Sequence, residues 1–163
     1  MMNKVEHDLE PVFDEKSKIL ILGTMPSVKS REYGFYYMHP QNRFWSVLEN
    51  LFQEKIEDKK EFCLKHHIAL WDTLKSCSIN GSSDSSISNI EVNDLSLILN
   101  KTNIKAIITT GKKAHEIYQK YLYPKYKIED ICLPSTSPAN ATRSKEQLIS
   151  DYQIIKTILE REE

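Results

Sequence analysis

The sequence predicts a three-layer α/β/α sandwich built on a central parallel sheet of about four strands. Three observations carry this. Short, Ile-rich apolar runs alternate with segments of helical periodicity along all 163 residues. The connections between those runs are too long for hairpins, which points to parallel crossovers. Each run ends in a polar or glycine-marked turn, at Gly23, Asp72, Gly111 and Ser135. In a parallel sheet those turns share one edge, where ligands bind outside the strand ends.

Residues 1–17 are polar and are expected to lie over the surface, with Val12 and Phe13 docking. Lys18–Leu22 reads as a buried strand. From Arg43 a helix is expected, since Phe44, Trp45, Leu48, Leu51 and Phe52 share a face and Pro40 disfavours helix before it. Residues 57–66 read as a charged helix with Phe62 and Leu64 inward, and Ile68–Trp71 as a strand ending at Asp72. Residues 76–90, SCSINGSSDSSISNI, read as a long loop, either functional or a plain linker. Asn93 or Asp94 is expected to cap a helix reaching about Lys101, with Leu95, Ile98 and Leu99 buried. Lys105–Thr110 is the third strand. Gly111 then turns the chain into a helix, Lys112–Leu122, with Ala114, Ile117, Tyr118, Tyr121 and Leu122 on its core side. Ile131–Leu133 is the fourth strand. Ser144 and Gln147 form a capping box for a last helix whose stripe is Leu148, Tyr152, Ile155 and Leu159.

Composition narrows the function less than the pattern does. One domain is expected at this length, with a core of ordinary size. The net charge of −1 gives no global basic excess, although a local basic groove is enough to bind nucleic acid. Cys63, Cys77 and Cys132 are scattered with no metal-ligand spacing, so no metal site is expected and a reducing cytoplasm is. No run has the length of a signal peptide core or a membrane span, and a cytoplasmic monomer without cofactor is expected.

The stretch Gly23–Trp45, GTMPSVKSREYGFYYMHPQNRFW, organises the rest. A strand delivers the chain to a loop holding Pro, two Ser and an aromatic cluster, then a His-Pro step and Asn42. Such a loop suits a flat ligand. A second polar loop, PSTSPANATRS, follows the fourth strand and is expected to form the opposite wall.

These two loops resemble those of the uracil-DNA glycosylase superfamily. Mismatch-specific uracil/thymine glycosylases carry G-I-N-P and later H-P-x-N-R-F-W, matched by Gly23-Thr24-Met25-Pro26 and His39–Trp45. DNA-deoxyinosine (hypoxanthine) glycosylases carry G-[ST]-[MF]-P-[SG], Y-Y-x-H-P-x-N-x-F-W and L-P-S-T-S-P-A-N, matched by Gly23–Ser27, Tyr36–Trp45 and Leu133–Asn140. The likeness is closest to this second branch. Uracil and thymine enzymes place a polar, water-positioning residue where Met25 stands here, and a thioether cannot orient water. The resemblance implies a metal-free hydrolytic glycosylase acting on double-stranded DNA with a deaminated base, most of all hypoxanthine. A uracil/thymine mismatch enzyme of the same fold and a non-catalytic nucleic-acid or nucleotide-binding module are the alternatives.

The resemblance also assigns roles, each beside a plainer reading. Asn42 is the first catalytic candidate, and an Asn there equally suits a helix N-cap. His39 would act with it or merely buttress the turn before Pro40. Tyr37 would stack on the flipped base or pack in the core, and Tyr36 less clearly so. Gly23, Thr24 and Met25 would line the base, or Gly23 only makes a tight turn. Ser27, Ser135 and Ser137 would bind phosphate, and Thr136, Pro138 and Asn140 belong to the same DNA-facing loop. Asn140 would read the orphaned base or hold its own loop. Lys112 and Lys113, at a helix start, and Arg143 with Lys145 would form a basic rim, or be solvated. Asp72 would be a general base or a turn cap. His66, His67 and His115 read as surface residues, and Trp45 and Trp71 as core.

Overall fold

The computed structural model describes residues 3–80 and 86–161. Its main sheet has four parallel strands in the order β3-β2-β6-β7. These are β2 (Ile19–Gly23), β3 (Ile68–Asp72), β6 (Ala106–Thr110) and β7 (Asp130–Leu133). Every residue of β2, β3 and β6 is buried. Near-continuous apolar runs are what strands covered on both faces require.

From the centre, β2 connects outward to β3 and β6 outward to β7, in opposite directions. Right-handed crossovers therefore put α2 (Phe44–Phe52) and α3 (Lys59–Lys65) on one face. The chain from α5 (Lys112–Ile117) through a π turn, Tyr118–Leu122, into α6 (Tyr123–Tyr126) takes the other. The closing helix α7 (Lys145–Glu160) packs on α2 and β2 and begins with the expected Ser144/Gln147 capping box. The strand order reverses between β2 and β6. A crevice is thereby opened outside the ends of those two strands, at Gly23 and Thr110.

A second sheet was not foreseen. Its antiparallel order is β1-β4-β5, formed by β1 (Asn3–Glu6), β4 (Leu74–Ile79) and β5 (Ser88–Val92). So the described part of the stretch 76–90 is mostly strand rather than loop, and residues 81–85 lie outside the described residues. Leu74, Cys77 and Ile79 are its buried positions, and register shifts between β4 and β5 break the period of two. The N-terminal segment is largely exposed as expected, with Val12 buried against Leu70 and Phe13 packed on the core, but it also forms a strand: β1 pairs with β4, and His7 beyond it is buried to 2% side-chain exposure. Pairing across about seventy residues leaves no mark in local composition.

Smaller corrections have local causes. Asn93 caps nothing. It is buried and donates to the Asp72 and Leu74 carbonyls, while Asp94 accepts from the Ser96 amide. The helix there, α4 (Ser96–Leu99), is one turn long. Tyr121 is 41% exposed, because the wider π turn swings it off the core face kept by Tyr118 and Leu122. His67 is half-buried with a left-handed backbone (φ 64°), and His66 bonds to Glu54 rather than facing solvent alone. Among the described residues no helix is long and apolar enough to cross a membrane.

Candidate active site

The crevice at the switch point is a cavity of about 490 Å³. One wall is the loop after β2, from Gly23 to Ser27. A second is the aromatic loop with Tyr37 and Asn42, and a third the loop after β7, Ser135–Ser137 with Ala139 and Asn140. Asp72, Thr110 and Ile79 complete it. The two polar loops, about a hundred residues apart in the chain, thus face one another.

Arg43 joins them. Its guanidinium donates to the carbonyls of Ser137 (3.1 Å), Asn140 (3.0 Å), Thr136 (3.4 Å) and Arg143. Its own amide donates to the Thr136 carbonyl. A planar fork that satisfies so many carbonyls fixes one loop against the other. Nothing in the sequence reading gave Arg43 a role. Its signal was an arginine set between Asn42 and two aromatics at the head of an apolar helix.

Asn42 lines the cavity in a fixed orientation. Its Oδ1 accepts from the Phe44 amide at 2.9 Å and from the Thr136 hydroxyl at 2.8 Å. An amide N–H can only donate, so Oδ1 is identified chemically, and Nδ2 takes no partner among the described residues. Arg43, not Asn42, is the N-cap of α2, and Asn42 just before it holds the first helical amide while keeping an open amide donor. Thr136, expected to face DNA, is instead buried and turned inward onto Asn42. His39 does not line the cavity. Its Nδ1 accepts from the Gln41 amide and its carbonyl from the Asn42 amide, so it shapes the turn that presents Asn42.

Tyr37 lies in the cavity wall with one ring face on Phe44, centroids 3.9 Å apart and planes 15° apart. Its backbone is left-handed (φ 56°), and its hydroxyl shares a hydrogen bond with Thr110 at 3.2 Å. Burial and then the nearby Asp72 push that hydroxyl far above the usual phenol range, so it stays protonated. Tyr36 is buried and lines the cavity, its hydroxyl donating to the Glu10 carbonyl and its carbonyl accepting from the Trp45 indole.

Thr24 and Met25 line the cavity, Met25 packing on the small-sheet cluster of Leu74, Cys77 and Ile79. Gly23 is glycine for want of space. A Cβ there would lie 2.6 Å from Asp72 Oδ1 and 3.3 Å from the Tyr37 hydroxyl. Gly23→Ala is expected to destabilise the fold by about 1–3 kcal/mol, as overpacking does. A lowered melting midpoint is the readout, and an unchanged midpoint contradicts the crowding.

The serines are structured by their own backbone. Ser27 caps α1 (Val28–Tyr33), accepting from the Ser30 amide. Ser135 accepts from the Ser137 amide and Ser137 from the Ala139 amide, which leaves each hydroxyl hydrogen as a donor toward the cavity loop's surroundings. Asn140 donates to the Ser135 carbonyl, so its amide holds its own loop.

The expected basic rim is not at the cavity. Lys112, Lys113 and Pro138 lie off its wall, although Gly111 before them abuts Ser135 (a Cβ would meet its Cβ at 3.3 Å). Arg143 is committed to Asp151 by bonds of 2.7 and 2.6 Å, and that carboxylate raises its pKa further. Among the described residues the one cation on the cavity wall is Arg31, to which the sequence gave no role. Asp72 caps no turn. It is buried against His7, which no sequence signal marked. Among the described residues no His, Cys, Asp or Glu side chains group in a way that would hold a metal ion.

Comparison with known proteins agrees with this architecture. The family model of the uracil DNA glycosylase superfamily matches residues 10–159. A hypoxanthine DNA glycosylase of Methanosarcina acetivorans is 37% identical over 147 residues, covering 86% of this chain and 92% of that one. A hypoxanthine DNA glycosylase of Methanosarcina barkeri is 34% identical over 112 residues, covering 65% and 71%. The solution NMR structure of a candidate uracil DNA glycosylase from Methanosarcina acetivorans superposes with a TM-score of 0.75 at 31% identity, covering 96% of this chain and 99% of that one. With a family model spanning residues 10–159 and a relative 37% identical over most of both chains, the chain belongs to the uracil DNA glycosylase superfamily.

Proposed function

We propose that this protein is a monofunctional DNA glycosylase that flips hypoxanthine out of deoxyinosine-containing duplex DNA and hydrolyses its glycosidic bond. The observation that carries the reading is Asn42, an amide clamped through Oδ1 with its Nδ2 left open on a cavity walled by Tyr37. The relatives named as hypoxanthine DNA glycosylases support the same choice of base.

The clamp decides which end of the amide works. Two donors occupy Oδ1, so Asn42 has no acceptor left for a water proton. It acts as a donor to a ring nitrogen of the leaving purine. As the C1′–N9 bond breaks, its electron pair moves to the base, and the Nδ2–H···N bond strengthens with that charge. Water adds its oxygen to C1′ of the oxocarbenium-like sugar and loses a proton, and the base leaves carrying one. Tyr37 offers a face on which the flipped base stacks, offsetting part of the unpairing cost. Met25 cannot hold water, which favours hypoxanthine over the uracil and thymine chemistry of other branches. No lysine lines the cavity among the described residues, in keeping with hydrolysis without a lyase step.

The test is alkali cleavage of duplexes carrying one deoxyinosine, deoxyuridine, deoxyxanthosine or mismatched thymidine. Strand scission is expected first and most completely at deoxyinosine. No scission at any lesion contradicts the reading.

Arg31 is the cation placed to meet a backbone phosphate of the flipped nucleotide. Arg31→Gln is expected to make log Kd for deoxyinosine duplex less steep against log salt by about 0.9, one phosphate contact. An unchanged salt slope contradicts that contact.

A further inference from the structure

The main sheet has a second edge, where its strands begin, and a recess lies there. In the order β3-β2-β6, the residues just before the three strands are His67, Lys18 and Lys105. Backbone bonds hold them side by side, the Lys18 amide on the His67 carbonyl (2.8 Å) and the Lys105 amide on the Lys18 carbonyl (2.7 Å). With Glu15–Ser17 and Asn103 they wall a recess of about 300 Å³. The length of β2, five residues or roughly 17 Å, separates it from Gly23. The recess shares no residue with the glycosylase cavity, so binding here is independent of base excision.

The wall presents donors. The side chains of Lys16, Lys18 and Asn103 take no partner among the described residues. The buried Ser17 hydroxyl accepts from the Asp14 amide at 3.1 Å, which leaves its hydrogen to donate. Lys105 adds a third ammonium group to the wall. Asp14 is turned to the Lys16 amide, and among the described residues the exposed Glu15 is the one carboxylate lining the recess.

His67 points to a ligand. Its Nδ1 is buried and has no hydrogen-bond partner among the described residues. Its backbone is left-handed (φ 64°), and its carbonyl takes both the Lys18 and Ile19 amides. A glycine would hold that turn with less strain and would bury no unpaired nitrogen. In the tautomer with its proton on Nδ1, the ring donates to a ligand oxygen, and the imidazole is then satisfied. Ammonium groups, an amide N–H and a hydroxyl hydrogen likewise suit an anion with several oxygens. A duplex backbone needs a basic stripe several phosphates long, and this recess has cations for one group.

We infer that the recess binds a phosphate monoester or inorganic phosphate, with Lys16, Lys18 and His67 Nδ1 on its terminal oxygens and Ser17 and Asn103 beside them. Such a group carries about 1.5 to 2 negative charges at neutral pH. Bound there, it ties the starts of three strands together and stabilises the native chain.

The experiment titrates the full chain with inorganic phosphate or a nucleoside 5′-monophosphate, against sodium chloride at matched ionic strength. Thermal melting and backbone amide NMR shifts are read together. At about ten times Kd the melting midpoint is expected to rise by roughly 3–6 °C. Saturating shifts are expected at Lys18, His67 and Lys105 rather than at Ser27 or Ser135. Equal affinity for both ligands shows that the phosphate group alone is held, and tighter binding of the monophosphate adds a contact to its nucleoside; both uphold the site. Lys16→Gln and Lys18→Gln are each expected to weaken phosphate binding at least about tenfold, with deoxyinosine excision unchanged. His67→Gly keeps the left-handed turn and is expected to weaken binding by about the same factor. The wild-type shift map and the lysine variants decide the matter even if His67→Gly fails to fold. An equal response to chloride, shifts confined to the loops of the glycosylase cavity, or undiminished binding in Lys16→Gln and Lys18→Gln overturns the site and leaves the glycosylase reading intact.

Discussion

Asn42→Ala is expected to lower single-turnover excision of hypoxanthine by about 10²–10³-fold, the usual cost of removing one preorganised donor. Binding to the damaged duplex should change little, since the bond strengthens only as charge develops on the base. Alanine also removes the acceptor used by Phe44 and Thr136, so that variant alone mixes catalysis with anchoring. Asn42→Asp separates them. An aspartate keeps an oxygen for the Phe44 amide and the Thr136 hydroxyl and exchanges the Nδ2 donor for a second, charged acceptor. The account predicts a near-native melting midpoint with the rate lost. Native excision by Asn42→Asp would reduce Asn42 to an anchor for Phe44 and Thr136.

Arg43→Ala is expected to have the largest effect on the fold at the site. Four carbonyls of the loop after β7 lose a charged donor at once. Hydrogen bonds to a charged group contribute about 1.5–3 kcal/mol each, and partial access to water makes the sum smaller. A loss of roughly 2–4 kcal/mol follows. The loop holding Ser135–Asn140 then comes free of the loop holding Tyr37 and Asn42, and Thr136 no longer orients the Asn42 amide. Arg43→Lys keeps the charge without the planar fork and is expected to recover little. Thermal melting and hydrogen exchange of residues 135–143 check this directly. Native protection of that segment in Arg43→Ala contradicts the role given to the guanidinium.

Much of this arrangement was legible where sequence neighbours determine structure. The Ile-rich runs of β2 and β6 are buried on both faces, and no polar partner competes with them. Ser144 and Gln147 lie three apart, so their reciprocal caps can be read from the chain alone. What stayed hidden depends on distant partners. Ser-rich β4 becomes a strand because β1 and β5 pair with its two edges. His7 sits in a charged segment, and only the folded sheet puts Asp72 in front of it. Thr136 lies in a loop of DNA-facing character, yet its hydroxyl turns inward because Asn42 offers an acceptor there. Arg143 was read as a free cation because Asp151, eight residues on, meets it only once α7 has formed. Even the Tyr37–Ser137 encounter, expected from strand order, needed Arg43 to explain what holds it.

The most direct measurement is mass detection of the free base released in a single turnover from duplex with one deoxyinosine, alongside the same duplex with deoxyuridine. The account predicts stoichiometric free hypoxanthine, an intact strand bearing an abasic site, and a much slower release of uracil. Uracil released as fast as hypoxanthine, or no free base from either duplex, would contradict it.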